Sequence, residues 1–190
     1  MPTLLAPPKV VRTISDEKYN RLLEEPGVEF VGGKVVEKPM SIKAAKVIAR
    51  ILRLFGNEAS QSGAEVFSES LAYRCYPKNP KQFRKPDASV IRNERLIGID
   101  EQSGFVLFPA DLVVEVISPG DKAEDVMSKV DEYLAHGFKC VWLVYPSRRS
   151  MTIHRADGSA TYLHENEEVT GEAALPSFRC KVAEFFGPNQ

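Results

Sequence analysis

No stretch of this 190-residue chain is apolar over the roughly 18 residues that a membrane-spanning helix needs, so no membrane partner is expected. Cysteine is scarce, with three residues at 75, 140 and 180 and no C-x-x-C pair. That odd, wide spacing supports neither a disulfide framework nor a zinc site. Cys140, inside KCVWLVY, reads as a small core residue. A surplus of positive charge is also missing: 25 Lys+Arg against 26 Asp+Glu leave a formal net charge of −1. A dedicated nucleic-acid coating protein is thereby excluded, and any polyanion contact must come from a local patch. The opening MPTLLAPPKVVRT has no basic start leading into an apolar run, so no secretory signal is expected and the expected compartment is the cytoplasm. G-x-S-x-G, H-E-x-x-H and P-loop motifs are absent. His136, His154 and His164 lack ligand spacing, and His136, just before Gly137, reads as a helix C-terminal cation or cap.

What is present suits a globular α/β domain. Length allows one domain over residues 1–190, with a core over about 13–155 followed by a hairpin and a short tail helix, VAEFF. A capping box from Thr13 to Asp16 predicts a first helix over KYNRLLEE. VEFV and KVVE flank Gly32-Gly33 as a hairpin. Ser41 caps a second helix whose apolar face is expected at Ile42, Ala45, Ile48, Ala49, Leu52 and Phe55, with Gly56 as its stop. AEVFSESLAYRCY reads as one bent strand and DASVIRN as a short one. DLVVEVIS and KCVWLVYP are nearly continuous apolar runs, typical of a sheet covered on both faces. The helix between them, about Asp121 to His136, makes them a parallel crossover pair. MTIHR and ATYLHE form a hairpin around Asp157-Gly158. The predicted fold is a mixed sheet with helices on both faces.

Glu115 stands in the middle of LVVEVI. Burying an unpaired carboxylate costs several kcal/mol, so it needs either a bound cation or a salt bridge. Alternation along the strand puts Asp111, Val113, Glu115 and Ile117 on one face and Leu112, Val114 and Val116 on the other. Asp87, after Pro86 at the mouth of DASVIRN, can join Glu115 from a neighbouring strand about 4.8 Å away. Asp111 lies roughly 13 Å along the strand and reads as a strand-entry residue. Lys78, Lys81, Arg84 and Lys85, in the turn-rich PKNPKQFRKP, are either a solvated basic loop or a phosphate-contacting patch.

The pattern Pro86-Asp87 … Glu115-x-Ile117 resembles the P-D-(D/E)-x-K signature of restriction-endonuclease-like nucleases. More narrowly, DLVVEVISPGDKAEDVMSKVDEYLAHGFKCVWLVYP and the upstream VEFVGGKVVEKPMS resemble the Uma-type branch of that superfamily. The resemblance spans most of residues 13 to 155. It implies a restriction-endonuclease-like fold and metal-dependent hydrolysis of nucleic acid, with DNA as the expected substrate. Asp87, Glu115 and the carbonyl of Val116 would hold Mg²⁺ or Mn²⁺. The signature lysine would fall at Ile117, and the resemblance suggests that it has moved to Lys129 on the following helix. Read from spacing alone, Lys129 is the i,i+4 partner of Asp125. The resemblance also makes Glu29 an additional metal-side group, whereas its strand alone reads it as a surface residue. A histidine frequent in this branch is missing from MSIKAAK, so its role is absent or taken by Lys43. By analogy the superfold implies a homodimer. The competing reading is a nuclease fold without catalysis, serving as a binding module.

Overall fold

The computed structural model describes residues 14–38 and 40–188. Helix α1 (Asp16–Glu24) is capped by Ser15, whose hydroxyl accepts from the Lys18 N–H, and it buries Tyr19 and Leu22. Thr13, expected to open the capping box, lies outside the described residues. Strands β1 (Val28–Val31) and β2 (Lys34–Glu37) form an antiparallel hairpin over Gly32-Gly33. β2 is wholly exposed, whereas Val28, Glu29 and Phe30 of β1 are buried.

Helix α2 (Ile42–Ser62) begins at Ser41 and runs past Gly56 to Gly63, whose φ of 62° gives the left-handed cap that an L side chain resists. Gly56 weakens a helix by only about 1 kcal/mol relative to alanine. Burial of Phe55 and Ala59 on either side of it offsets that cost. The buried face is also rotated from the expected one. Ala44, Val47, Ile48, Ile51, Phe55 and Ala59 face the core and Ile42 is exposed. This face replaces Ala45 and Ala49 with the larger Val47 and Ile51, and so removes more apolar surface from water.

The run expected as one bent strand divides into β3 (Ala64–Ser68) and the two-residue β4 (Ala72–Tyr73). β5 (Ala88–Arg92) follows, then β6 (Phe105–Val106), which pairs in parallel with β4. β7 (Leu112–Val116), α3 (Ala123–Ala135) and β8 (Cys140–Tyr145) form the crossover, with β7 and β8 parallel. His136 caps α3 and its Nδ1 lies 2.7 Å from the Glu132 carbonyl. β9 (Ser150–Arg155) and β10 (Ala160–His164) complete a six-stranded mixed sheet in the order β10-β9-β8-β7-β5-β3. A further hairpin, β11 (Glu168–Gly171) with β12 (Leu175–Lys181), precedes a 3-10 turn at Val182–Phe185 where a short tail helix was expected.

The faces of β7 separate as its alternation requires. Leu112, Val114 and Val116 pack with Ile51 and Phe55 of α2, Trp142 of β8, and Phe178 and Phe185. Phe55 meets Trp142 and Phe178 edge-on, with ring centroids 5.4 and 5.0 Å apart. Val113 packs on the opposite face with Val130 and Tyr133 of α3 and with Phe138. Residues beyond 155 therefore help to build the main core. Asp111 is held by the Arg92 N–H and paired with Lys139 and Arg95, which fixes the entry of β7. No helix among the described residues is long and apolar enough to cross a membrane.

Candidate active site

Ala88 of β5 lies opposite Val114 of β7 in an antiparallel register, which brings Asp87 level with Glu115 on the neighbouring strand. Both are buried, at 4% and 6% exposure. Oδ2 of Asp87 accepts the Val116 N–H at 2.7 Å, so the backbone of β7 orients that carboxylate. Its Oδ1 and the Oε2 of Glu115 accept from one ammonium, that of Lys38, at 2.7 and 3.2 Å. The other oxygen of Glu115 accepts from the Tyr133 hydroxyl and faces Lys129 Nζ, each at 2.8 Å. Lys129 and Tyr133 are one turn apart on α3 and both point at Glu115.

Lys129 also donates to Glu29 Oε1 at 3.0 Å. Among the described residues it has no ion pair with Asp125, and Glu29 is not a surface residue, being 1% exposed. β1 carries Glu29 inward because the hairpin lies over the segment before β5: Phe30 bridges Phe83, and the Lys85 N–H donates to Glu29 at 3.0 Å. Arg84 Nη1 donates to Glu29 at 2.9 Å, and its other two nitrogens grip Glu132 of α3, each at 2.8 Å. Charges thus alternate from Asp87 through Lys38, Glu115, Lys129, Glu29 and Arg84 to Glu132.

The basic loop needs correction as a phosphate-contacting patch. Lys85 is buried, and its ammonium satisfies the carbonyls of Leu23 and Glu25 at 2.7 and 2.8 Å, at the end of α1. Those carbonyls have no intrahelical partner, which explains the lysine's inward turn. Arg84 is committed to Glu29 and Glu132. Lys81 reaches Asp16 at 2.6 Å but stays partly exposed, and Lys78 is exposed. Of the four, Lys78 and Lys81 remain accessible. Lys43 is exposed on the first turn of α2, outside the lining of the cavity.

Burial would raise the pKa of Glu29, but Lys129, Lys38 and Arg84 together hold it down at about 2. Glu115 is likewise lowered, since Lys129 and Lys38 outweigh its burial. Asp87 behaves differently: burial and the adjacent Glu115 carboxylate outweigh Lys38 and the Val116 N–H, and its pKa is raised. Burial presses Lys38 downward, yet Glu115, Asp87 and Glu29 leave it raised overall. Burial keeps the Tyr133 phenol protonated.

A cavity of about 360 Å³ opens beside these groups, with Lys38, Met40, Ser118, Lys122 and Lys129 on its walls. Among the described residues no three acid, histidine or cysteine side chains are arranged to hold a metal ion. Two carboxylates plus water are nonetheless what Mg²⁺ ordinarily takes from a protein. The Lys38 ammonium, lodged between Asp87 and Glu115, is a stand-in for such a cation. Charge agrees: Asp87, Glu115, Glu29 and Glu132 exceed Lys38, Lys129 and Arg84 by one negative charge. By their chemistry the two carboxylates suit a hard divalent ion such as Mg²⁺ or Mn²⁺.

Lys38 and Tyr133 escaped the sequence reading. A lysine after an exposed strand looks solvated. For Tyr133, the signals were its place four residues after Lys129 in KVDEY and on the packed face of the helix, because a buried phenol needs a hydrogen-bond partner.

A family model described as "Putative restriction endonuclease", that of the Uma2 family, matches residues 16–183. Among solved structures, the chain is similar to a protein of Anabaena variabilis ATCC 29413 described as "a putative nuclease belonging to DUF820". The two share 20% sequence identity with a TM-score of 0.75, over 92% of this chain and 98% of that one. At that identity the likeness is one of fold. No curated protein matches the sequence.

Proposed function

The chain belongs to the Uma2 family, and from that premise we propose that it is a metal-dependent endonuclease hydrolysing phosphodiester bonds of nucleic acid, DNA first among them. The observation that carries this reading is the convergence of Asp87, Glu115 and Lys129. Two buried carboxylates from adjacent strands meet at one cation position, with a second ammonium 2.8 Å from Glu115. Asp87, Glu115 and the carbonyl of Val116 are the groups that would hold Mg²⁺ or Mn²⁺. When bound, such an ion polarises the phosphate and makes its water more acidic. Tyr133 and the Val116 N–H keep the two carboxylates in register. Lys129 borders the cavity and can donate to the attacking water or to a phosphate oxygen as negative charge develops. Glu29 positions that lysine, and Arg84 positions Glu29. Lys78 and Lys81 are the accessible cations for the flanking phosphates. Three unpaired cysteines suit the reducing cytoplasm as the place of action.

Single-turnover cleavage of a labelled duplex tests this, in Mg²⁺, Mn²⁺ or EDTA, with Asp87→Asn as control. Cleavage should require the metal and vanish in the variant. A protein that Mn²⁺ stabilises but that cuts neither DNA nor RNA would instead be a binding module on a nuclease fold.

A further inference from the structure

Lys38 has no place in the signature formed by Asp87, Glu115 and Lys129, yet its ammonium has every donor engaged. An ammonium has three donors, and here each meets an oxygen: Asp87 Oδ1 at 2.7 Å, the Lys85 carbonyl at 3.1 Å and Glu115 Oε2 at 3.2 Å. Two of the three are the carboxylate oxygens assigned above to the divalent ion, hard donors of the kind such an ion takes. The backbone of Lys38 is pinned, since its N–H donates to the Gly27 carbonyl at 2.8 Å. Its side chain lies along the wall of the cavity and is 17% exposed. The Lys38 side chain thus borders open space while its backbone stays tied to Gly27.

We propose that Lys38 is an internal counter-ion occupying the divalent-cation position itself, so that metal binding is an exchange in which the ion enters as the ammonium swings out into the cavity. This rests on the metal-dependent reading above. In the metal-free protein Lys38 neutralises two buried carboxylates that would otherwise repel each other. The same contact lowers the apparent affinity for metal, because only the fraction of molecules with Lys38 withdrawn can bind it. The site gains stability without metal and gives up affinity for it.

Lys38→Met keeps the length of the stem and removes the charge. Calorimetric titration of Mn²⁺ into the wild type and this variant should show at least tenfold tighter binding in the variant. The variant's metal-free melting temperature should fall below that of the wild type, and Mn²⁺ should raise it by more. Equal or weaker Mn²⁺ affinity in Lys38→Met, with the wild type binding, overturns the exchange and leaves the metal site standing. Binding by neither protein overturns both. Should Lys38→Met fail to fold, the wild type decides by ¹⁵N NMR of its lysine ammonium groups. The Lys38 signal should be protected from solvent exchange without metal and lose that protection at saturating Mg²⁺, and protection that persists contradicts the exchange.

Discussion

Glu29 is almost fully buried and in contact with two cations, Lys129 and Arg84, and its pKa is held at about 2 against an ordinary 4.5. A carboxyl group depressed on folding contributes stability that is complete above its unfolded pKa and is lost as the pH falls through the folded value. For Glu29 that contribution is on the order of 3 kcal/mol. Glu29→Gln should therefore be less stable than the wild type at pH 7 by roughly this amount, and the gap should close as the pH falls from 4.5 toward 2. Urea unfolding at a series of pH values measures it, and a gap that does not vary with pH would assign Glu29 a packing role. Lys129 admits a different test. Lys129→Ala should nearly abolish cleavage while sparing Mn²⁺ affinity. Adding Ile117→Lys should restore part of the rate, since Ile117 also lines the cavity and could return an ammonium to it from β7. Single-turnover rates of the three proteins decide, and full activity in Lys129→Ala would remove the lysine from the mechanism. Glu115 stood out in the sequence because an acid within an apolar strand demands a partner, whereas Asp87, at the mouth of its strand, was pointed to only by Glu115 on the neighbouring strand and by the family resemblance. Lys38 was not legible, because where a long flexible stem ends depends on tertiary packing.

At the scale of elements, the closing hairpin depends on one close approach. A Cβ on Gly171 would overlap the carbonyl oxygen and Cβ of Leu175, where the register of β11 and β12 shifts. Gly171→Ala should cost about 2 to 3 kcal/mol by overpacking. Gly63→Ala, where a Cβ meets only Arg92 at 3.9 Å, should cost about 1 kcal/mol through its left-handed backbone. Denaturant midpoints of the two variants compare them directly, and equal losses would contradict the steric account. The crossover from β7 through α3 to β8 was readable because two nearly continuous apolar runs enclose an amphipathic helix that stops at Gly137. β4 and β6, two residues each, carry none. The buried face of α2 was misjudged because two overlapping helical stripes exist in its sequence, and only the sheet beneath it selects between them.

For the whole molecule, the net charge is −1, and with Arg84 and Lys85 committed internally other cations stand at the surface, among them Lys43, Lys46 and Arg53 on α2. The buried charged groups of the candidate site gather at the cavity, where one end of β7, the mouth of β5, the β1–β2 hairpin and α3 meet. That convergence sets two buried carboxylates from neighbouring strands beside a lysine of the next helix. The account stands on the cation position between Asp87 and Glu115, and anomalous diffraction at the manganese edge tests it most directly. Crystals grown with Mn²⁺ should show a single strong peak within coordination distance of both carboxylates, with Lys38 displaced from them. An anomalous map without a peak there, and with Lys38 still bridging the two acids, would contradict it.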